Sequence, residues 1–321
     1  MDYPEYLSLP EAQALRGRDF LCLRDLTEAE LELVFRVTED LKARQRAGQP
    51  HPWLAGKSLG MIFQKASTRT RVSFEVGMYQ LGGQPLFLSS RDLQLGRGET
   101  IADTARVLSR YLHGLMIRTY AQEEVEELAR HASIPVINGL TDLLHPCQAL
   151  ADLFTIREKR GKLAGLKLAY VGDGNNVAHS LLLGGAMTGM EVWVASPPGY
   201  APREDLVAEA RRLAEKSGGR IVITEDPLAA AEAADVLYTD VWASMGQEAQ
   251  AEERRSVFRS YQLNHGLVAR AAKDVLVMHC LPAHRGEEIT DEVIDGPHSV
   301  VWDQAENRLH AQKALLLLLL R

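Results

Sequence analysis

Apolar positions along the chain keep two alternating rhythms. Leu31, Val34, Val37 and Leu41 fall at helical spacing behind Thr27-Glu28-Ala29-Glu30, where a hydroxyl and a carboxylate three residues apart make a capping box. Ser58 to Phe63 is an apolar run of strand length, and Arg69 to Leu81 reads as a helix stopped by Gly82-Gly83. Leu115 to Ile117 and Pro135 to Asn138 are further short strands. His145-Pro146 opens a helix that runs to about Arg160 and stops at Gly161, with proline in the first turn, where its missing N–H costs nothing. The pattern then restarts. Leu166 to Val171 is a strand, Val177 to Met187 a helix and Glu191 to Ala195 a strand, and Ile221 to Ile223, Val236 to Tyr238 and Val275 to His279 continue the series. The last segment, Ala305 to Leu320, is a helix amphipathic only in its first half. Its leucine-rich end needs an apolar surface, and the N-terminal domain is the expected one.

Regular alternation of this kind predicts an α/β fold with two doubly wound parallel-sheet domains of similar size. The restart sets the boundary near 146–150: residues 1–147 form the first domain, with the helix 305–321 packing back on it, and 148–304 form the second. A length of 321 residues suits two such cores. Composition narrows the function. A net charge of -7 without a basic stretch argues against nucleic acid as a partner. The longest apolar run, Ala314 to Leu320, falls far below the ~20 residues of a membrane span. Met1 to Glu5 carries no secretory pattern, and Cys22, Cys147 and Cys280 are too few and too scattered for a disulfide framework. A cytoplasmic location is expected.

The sharpest chemical feature is Phe63-Gln64-Lys65-Ala66-Ser67-Thr68-Arg69-Thr70-Arg71, set between a strand and a helix. Free backbone N–H groups and the positive end of the helix dipole attract an anion there. Hydroxyl donors and arginine forks match phosphate oxygens. A capped helix start with solvated arginines is the plainer reading of the same residues. In His145-Pro146-Cys147-Gln148, His and Gln share one face of a helix's first turn. The histidine can donate to a carbonyl oxygen that gains charge, and the glutamine can hold an amide NH2. Alone, His-Pro marks only a helix boundary.

Val171-Gly172-Asp173-Gly174-Asn175-Asn176 begins like a dinucleotide fingerprint. Val177 stands where the third glycine would be, and the next strand ends at Ala195-Ser196 without an acid for a ribose, so no nicotinamide cofactor is expected. The paired amides suit a substrate's amino-acid end, or simply make an Asn-rich turn. Asp240-Val241-Trp242-Ala243-Ser244-Met245-Gly246 and His279-Cys280-Leu281-Pro282 each follow a strand, where parallel sheets bind their ligands. An aspartate there can pair with an amine cation, and a cysteine can be a polar contact or a weak base. His279 and Cys280 with His284 lack the fourth ligand of a zinc site, so no metal is expected. A covalent thiol nucleophile has no base arranged for it.

Taken in order, these motifs resemble the aspartate/ornithine carbamoyltransferase family. Ser67-Thr68-Arg69-Thr70-Arg71 looks like its carbamoyl phosphate signature and His145-Pro146-Cys147-Gln148 like its second phosphate-domain motif. The loops Asp240 to Gly246 and His279 to Pro282 look like the ornithine carbamoyltransferase branch rather than the aspartate one. The resemblance implies transfer of a carbamoyl group from carbamoyl phosphate to ornithine, without a cofactor and without a covalent enzyme intermediate. Ser67, Thr68, Arg69 and Thr70 would bind phosphate, with Arg118 bridging phosphate and carbonyl oxygen, and His145 and Gln148 would hold the carbamoyl group. Gln94, in the loop Ser89 to Glu99, would reach a neighbouring subunit's phosphate site in a homotrimer or a multiple of it. Asn176, Asp240, Ser244 and Met245 would bind ornithine. Cys280 and Leu281 would lie between the substrates and Arg308 would complete the carbamoyl phosphate site. Arg118, His145, Asp240 and Cys280 would be the catalytic residues. A transferase for another amine, an inactive phosphate-binding subunit and a dehydrogenase are the alternatives.

Overall fold

The computed structural model of the chain describes residues 4–95, 98–243 and 248–321. Two units result: Met1–Ala151 with Asn307–Arg321, and Asp152–Glu306.

In the first unit the strands β1 (Ser58–Phe63), β2 (Gln84–Ser89), β3 (Gly114–Arg118) and β4 (Val136–Leu140) pair in parallel in the order β2-β1-β3-β4. Strands β3 and β4 are buried along their whole length, as a sheet covered on both faces demands. Ile62, Leu115, Ile117 and Val136 pack there with Val125 and Leu128 of the Gln122–His131 helix. Strand β2 escaped the sequence reading. It lies at the sheet edge, contains Pro85 and leaves Leu86 and Phe87 exposed, so it carries no buried apolar run. The chain moves from β1 out to β2, then returns to the other side of β1 with β3. Phe63 is level with Arg118 in the register, so the carboxyl ends of β1 and β3 meet at this reversal, the place where open parallel sheets hold ligands.

The second unit repeats the plan with β5 (Lys167–Val171), β6 (Glu191–Ala195), β7 (Arg220–Thr224), β8 (Val236–Thr239) and β9 (Leu276–His279), all parallel in the order β7-β6-β5-β8-β9. Its reversal lies between β5 and β8, so the loops after Val171 and Thr239 are neighbours. Ala169, Val171, Leu237 and Val277 form the inner core with Trp242, Phe258 and Leu263.

The Val301–Leu320 helix begins earlier than its apolar pattern suggested. Its residues from Asn307 onward belong to the first unit, and Leu315 to Leu320 are buried there. The Gly17 N–H donates to the Leu319 carbonyl at 3.0 Å. Gly114 gives Leu320 its room, since a Cβ at that position would sit 3.0 Å from Leu320 Cδ2. Among the described residues, no helix is long and apolar enough to cross a membrane.

Candidate active site

The anion-binding run of the first unit follows β1 directly. Ser67 caps the Thr68–Gln80 helix, its Oγ accepting from the Thr70 N–H at 3.1 Å. Ser67 and Arg69 are half-buried, Thr68 is exposed and Thr70 is buried. Arg308, 3% exposed, ties two of the other expected residues together, along with Gln312. Its Nη1 donates to Gln148 Oε1 at 2.5 Å, its Nη2 to Thr70 Oγ1 at 3.3 Å and its Nε to Gln312 Oε1 at 2.9 Å. Gln312 in turn donates to Ser73 Oγ at 2.6 Å.

Arg118 ends β3 and is buried, as is His145. Burial holds the His145 imidazole well below its usual 6.5, and the guanidiniums of Arg308, Arg118 and Arg69 push it further the same way. The ring is therefore neutral at physiological pH, an N–H donor set among three fixed positive charges. Such a place attracts an oxyanion and offers a donor to an oxygen that gains charge. Lys65 is used otherwise. It pairs with Asp142 and lies over the Tyr120 ring at 4.3 Å. Cys147 is fully buried, and burial pushes its thiol up to about 12, which removes it as a nucleophile. Gln94 is exposed on the loop after β2 and is not in the hydrogen-bonded group around Arg308.

In the second unit Asp240, which follows β8, is the centre. Its Oδ2 accepts from Asn175 Nδ2 at 2.7 Å, and its Oδ1 accepts from the Cys280 thiol at 2.9 Å and the Val241 N–H at 2.8 Å. The ends of β5, β8 and β9 thus bring Asn175, Asp240 and Cys280 together. Asn175 also caps the Asn176–Met187 helix, its Oδ1 accepting from the N–H groups of Val177 and Ala178 at 2.9 and 3.2 Å. Asn176, half-buried, opens that helix, and Leu281 is half-buried after Cys280. Ser244 and Met245 lie outside the described residues. The Gly172-Asp173-Gly174 turn is closed to a pyrophosphate: a Cβ on Gly174 would come within 2.2 Å of Pro202 N, and Asp173 is paired with Arg254 at 2.9 Å.

Asp240, His279 and Cys280 present ligand atoms within 4.8 Å of one another. Both ring nitrogens of His279 are already engaged, however, Nε2 with Glu288 Oε1 at 2.9 Å and Nδ1 with the Leu281 N–H at 2.8 Å. Glu288 received no role from sequence, His279 was weighed only as a metal ligand, and Asn175 only as one of two paired amides. The doubled Asn175-Asn176 was the one available signal, and it did not say which amide faces the aspartate.

Two family models match the chain: "Aspartate/ornithine carbamoyltransferase, carbamoyl-P binding domain" over residues 18–158, and "Aspartate/ornithine carbamoyltransferase, Asp/Orn binding domain" over residues 164–319. An ornithine carbamoyltransferase from Pyrococcus abyssi is 60% identical over 96% of this chain and 97% of its own length. One from Anoxybacillus flavithermus is 62% identical over 95% of this chain and 98% of its own. The relative from Pyrococcus furiosus, named as anabolic, is 59% identical over 96% of this chain and 98% of its own. A solved ornithine carbamoyltransferase structure from the same organism superposes with a TM-score of 0.93 at 59% identity, covering 95% of this chain and 98% of that one.

Proposed function

Because this chain belongs to the aspartate/ornithine carbamoyltransferase family, we propose that it moves the carbamoyl group of carbamoyl phosphate to the δ-amine of L-ornithine, giving L-citrulline and phosphate. The observation that carries the reading is the neutral His145 among the guanidiniums of Arg308, Arg118 and Arg69, beside the Thr70 and Gln148 side chains that Arg308 holds. The first unit binds carbamoyl phosphate: Ser67, Thr68, Arg69 and Thr70 take the phosphate, and Gln148 holds the carbamoyl NH2. Arg118, His145 and Thr70 stabilise the oxyanion, usually the largest contribution to acyl-transfer rates.

The second unit binds ornithine through Asn176, Asp240, Ser244 and Met245. An alkylamine titrates near ~10.4, so the site must favour its neutral form before attack. Asp240, aligned by Asn175 and Cys280, pairs with the ammonium and orients the amine. The thiol of Cys280 already donates to Asp240. It takes the amine proton only by passing its own to the carboxylate, so the two act as one acceptor. The amine nitrogen attacks the carbamoyl carbon, the bond to the phosphate oxygen breaks, and no covalent enzyme intermediate forms.

A homotrimer, or a multiple of it, completes the proposal, with Gln94 reaching a neighbouring subunit's phosphate site. Supporting it is a set of exposed large apolar side chains in the first unit. Val72, Val76 and Tyr79 share one face of their helix, and Leu86 and Phe87 of β2 are exposed in the same unit. Work in arginine synthesis fits the word anabolic in the Pyrococcus furiosus relative's name, and a cytoplasmic location is part of the same proposal.

The test is product formation from carbamoyl phosphate with ornithine, aspartate or putrescine. Citrulline from ornithine alone is expected. Product only from another amine would overturn the reading of the second unit, and no product from any amine would overturn the proposal.

A further inference from the structure

We infer that Glu288, acting through His279, is a positioning residue that fixes Cys280 against Asp240, an inference that rests on the ornithine-handling role proposed for that pair. Glu288 and His279 are almost wholly buried in the second unit; His279 opens the His279 to Pro282 motif without a role of its own, and Glu288 lies six residues beyond that motif. The Leu281 N–H donates to His279 Nδ1 at 2.8 Å, so Nδ1 carries no proton. The ring proton is then on Nε2, which donates to Glu288 Oε1 at 2.9 Å. The same Oε1 accepts from the His284 N–H at 2.6 Å. One carboxylate oxygen therefore selects one tautomer of the imidazole, and that tautomer supplies the acceptor that Leu281 needs.

Leu281 has φ +60°, a backbone conformation that leucine rarely adopts. Its N–H bond to His279 holds the turn in that shape, and Cys280, the residue between them, has its thiol 2.9 Å from Asp240 Oδ1. Without Glu288, the Nε2 proton loses its acceptor and the ring is free to carry its proton on Nδ1. Two donors, Nδ1–H and the Leu281 N–H, would then face each other. The turn relaxes, and Cys280 leaves Asp240.

Two variants separate this role from plain packing. Glu288→Met removes the acceptor at similar volume. Glu288→Gln keeps it, because the amide oxygen can face the two donors while its NH2 takes the place of Oε2, an atom with no hydrogen-bond partner among the described residues. In Glu288→Met, kcat/KM for ornithine falls by about 100-fold, as a displacement of about 1 Å in a reacting group causes, while KM for carbamoyl phosphate stays unchanged. Glu288→Gln restores most of the loss. Alkylation of Cys280 by iodoacetamide, followed by peptide mass mapping, reads the contact without catalysis. It quickens by about tenfold in Glu288→Met, the equivalent of one lost charge-assisted hydrogen bond.

A His279→Asn background guards against a variant that fails to fold. Asparagine can accept from the N–H two residues on through its own side chain, so Glu288→Met added there changes neither rate. An unchanged alkylation rate in Glu288→Met, or the same effect in the His279→Asn background, overturns the inference. The expected alkylation pattern in a protein that makes no citrulline would support the positioning role and overturn the ornithine reading instead.

Discussion

Lys313 lies fully buried in the first unit, and among the described residues its ammonium meets only neutral acceptors: Gln45 Oε1 at 3.2 Å, His51 Nε2 at 3.1 Å and Gln80 Oε1 at 2.9 Å. His51 is held in the accepting form because its Nδ1 bonds the Gln49 carbonyl at 2.9 Å and burial keeps it from protonating. Burial brings the lysine down from 10.5 to about 8. The sign follows from linkage. Between pH 8 and 10.5 the unfolded chain keeps a proton that the folded protein has released, so stability rises with pH across that window and is lowest below it. At about 1.36 kcal/mol per pH unit, the cost of keeping Lys313 charged at pH 7 is on the order of 3 kcal/mol. In Lys313→Met the apolar stem is kept and the titration is gone. Urea unfolding of both proteins, followed by tryptophan fluorescence at pH 7 and again near pH 10, isolates the effect because all other groups cancel. The stability of the native protein relative to the variant is expected to rise by on the order of 3 kcal/mol over that interval. Parallel stability curves would show that the ammonium is not desolvated, and the reasoning would fail.

His145 gives the opposite end of the pH scale. Its folded value lies below the unfolded 6.5, so its contribution to stability is full above pH 6.5 and is lost as pH falls toward the folded value. His145→Asn is expected to flatten the acid side of the stability curve measured by denaturant titration, and to lower kcat without moving the acid limb of its pH profile. An acid limb near 6.5 that disappears in the variant would contradict a neutral His145. Arg308→Met unties Thr70 from Gln148 and removes the largest charge acting on His145. It should lower kcat by about 10²–10³-fold with unchanged circular dichroism, and steady-state citrulline assays with a near-normal kcat would refute the placement of Arg308 in the site.

Where chemistry and element boundary coincide in sequence, the candidate site was legible. The hydroxyl and arginine run after β1 and the aspartate after β8 announced themselves because a strand end and a polar loop are adjacent in the chain. Arg308 was reachable only through family resemblance, since its partner Gln148 is 160 residues away. Glu288 was invisible for a related reason: an acid in the polar run Gly286-Glu287-Glu288-Ile289-Thr290-Asp291 reads as part of a solvated loop, yet it is fully buried. Lys313 stands just before the Ala314 to Leu320 run, beyond the amphipathic half of its helix, and its acceptors Gln45, His51 and Gln80 are more than 230 residues away in the chain. Strand β2 was hidden because an edge strand need not bury its side chains. Each miss involves a tertiary partner that local pattern does not encode.

Charge is distributed differently in the two units, in the way the proposed function asks of each. A protein with a net charge of -7 gathers Arg69, Arg118 and Arg308 around one buried imidazole. Desolvation and these guanidiniums together remove the proton that imidazole would otherwise hold, and the remaining N–H is a donor that brings no further positive charge to be solvated. On the proposed function, a phosphate dianion entering this site would meet fixed charges rather than mobile water, so little reorganisation would be needed when the carbamoyl oxygen becomes negative. In the second unit the logic is reversed. Asp240 is buried among neutral donors, Asn175, Cys280 and the Val241 N–H, which spread its charge without neutralising it. A carboxylate paired to arginine there would have lost its pull on an ammonium. Asp173 has such a partner in Arg254, whereas the hydrogen-bond donors of Asp240, one strand away, are neutral, as the amine-binding role proposed for it requires.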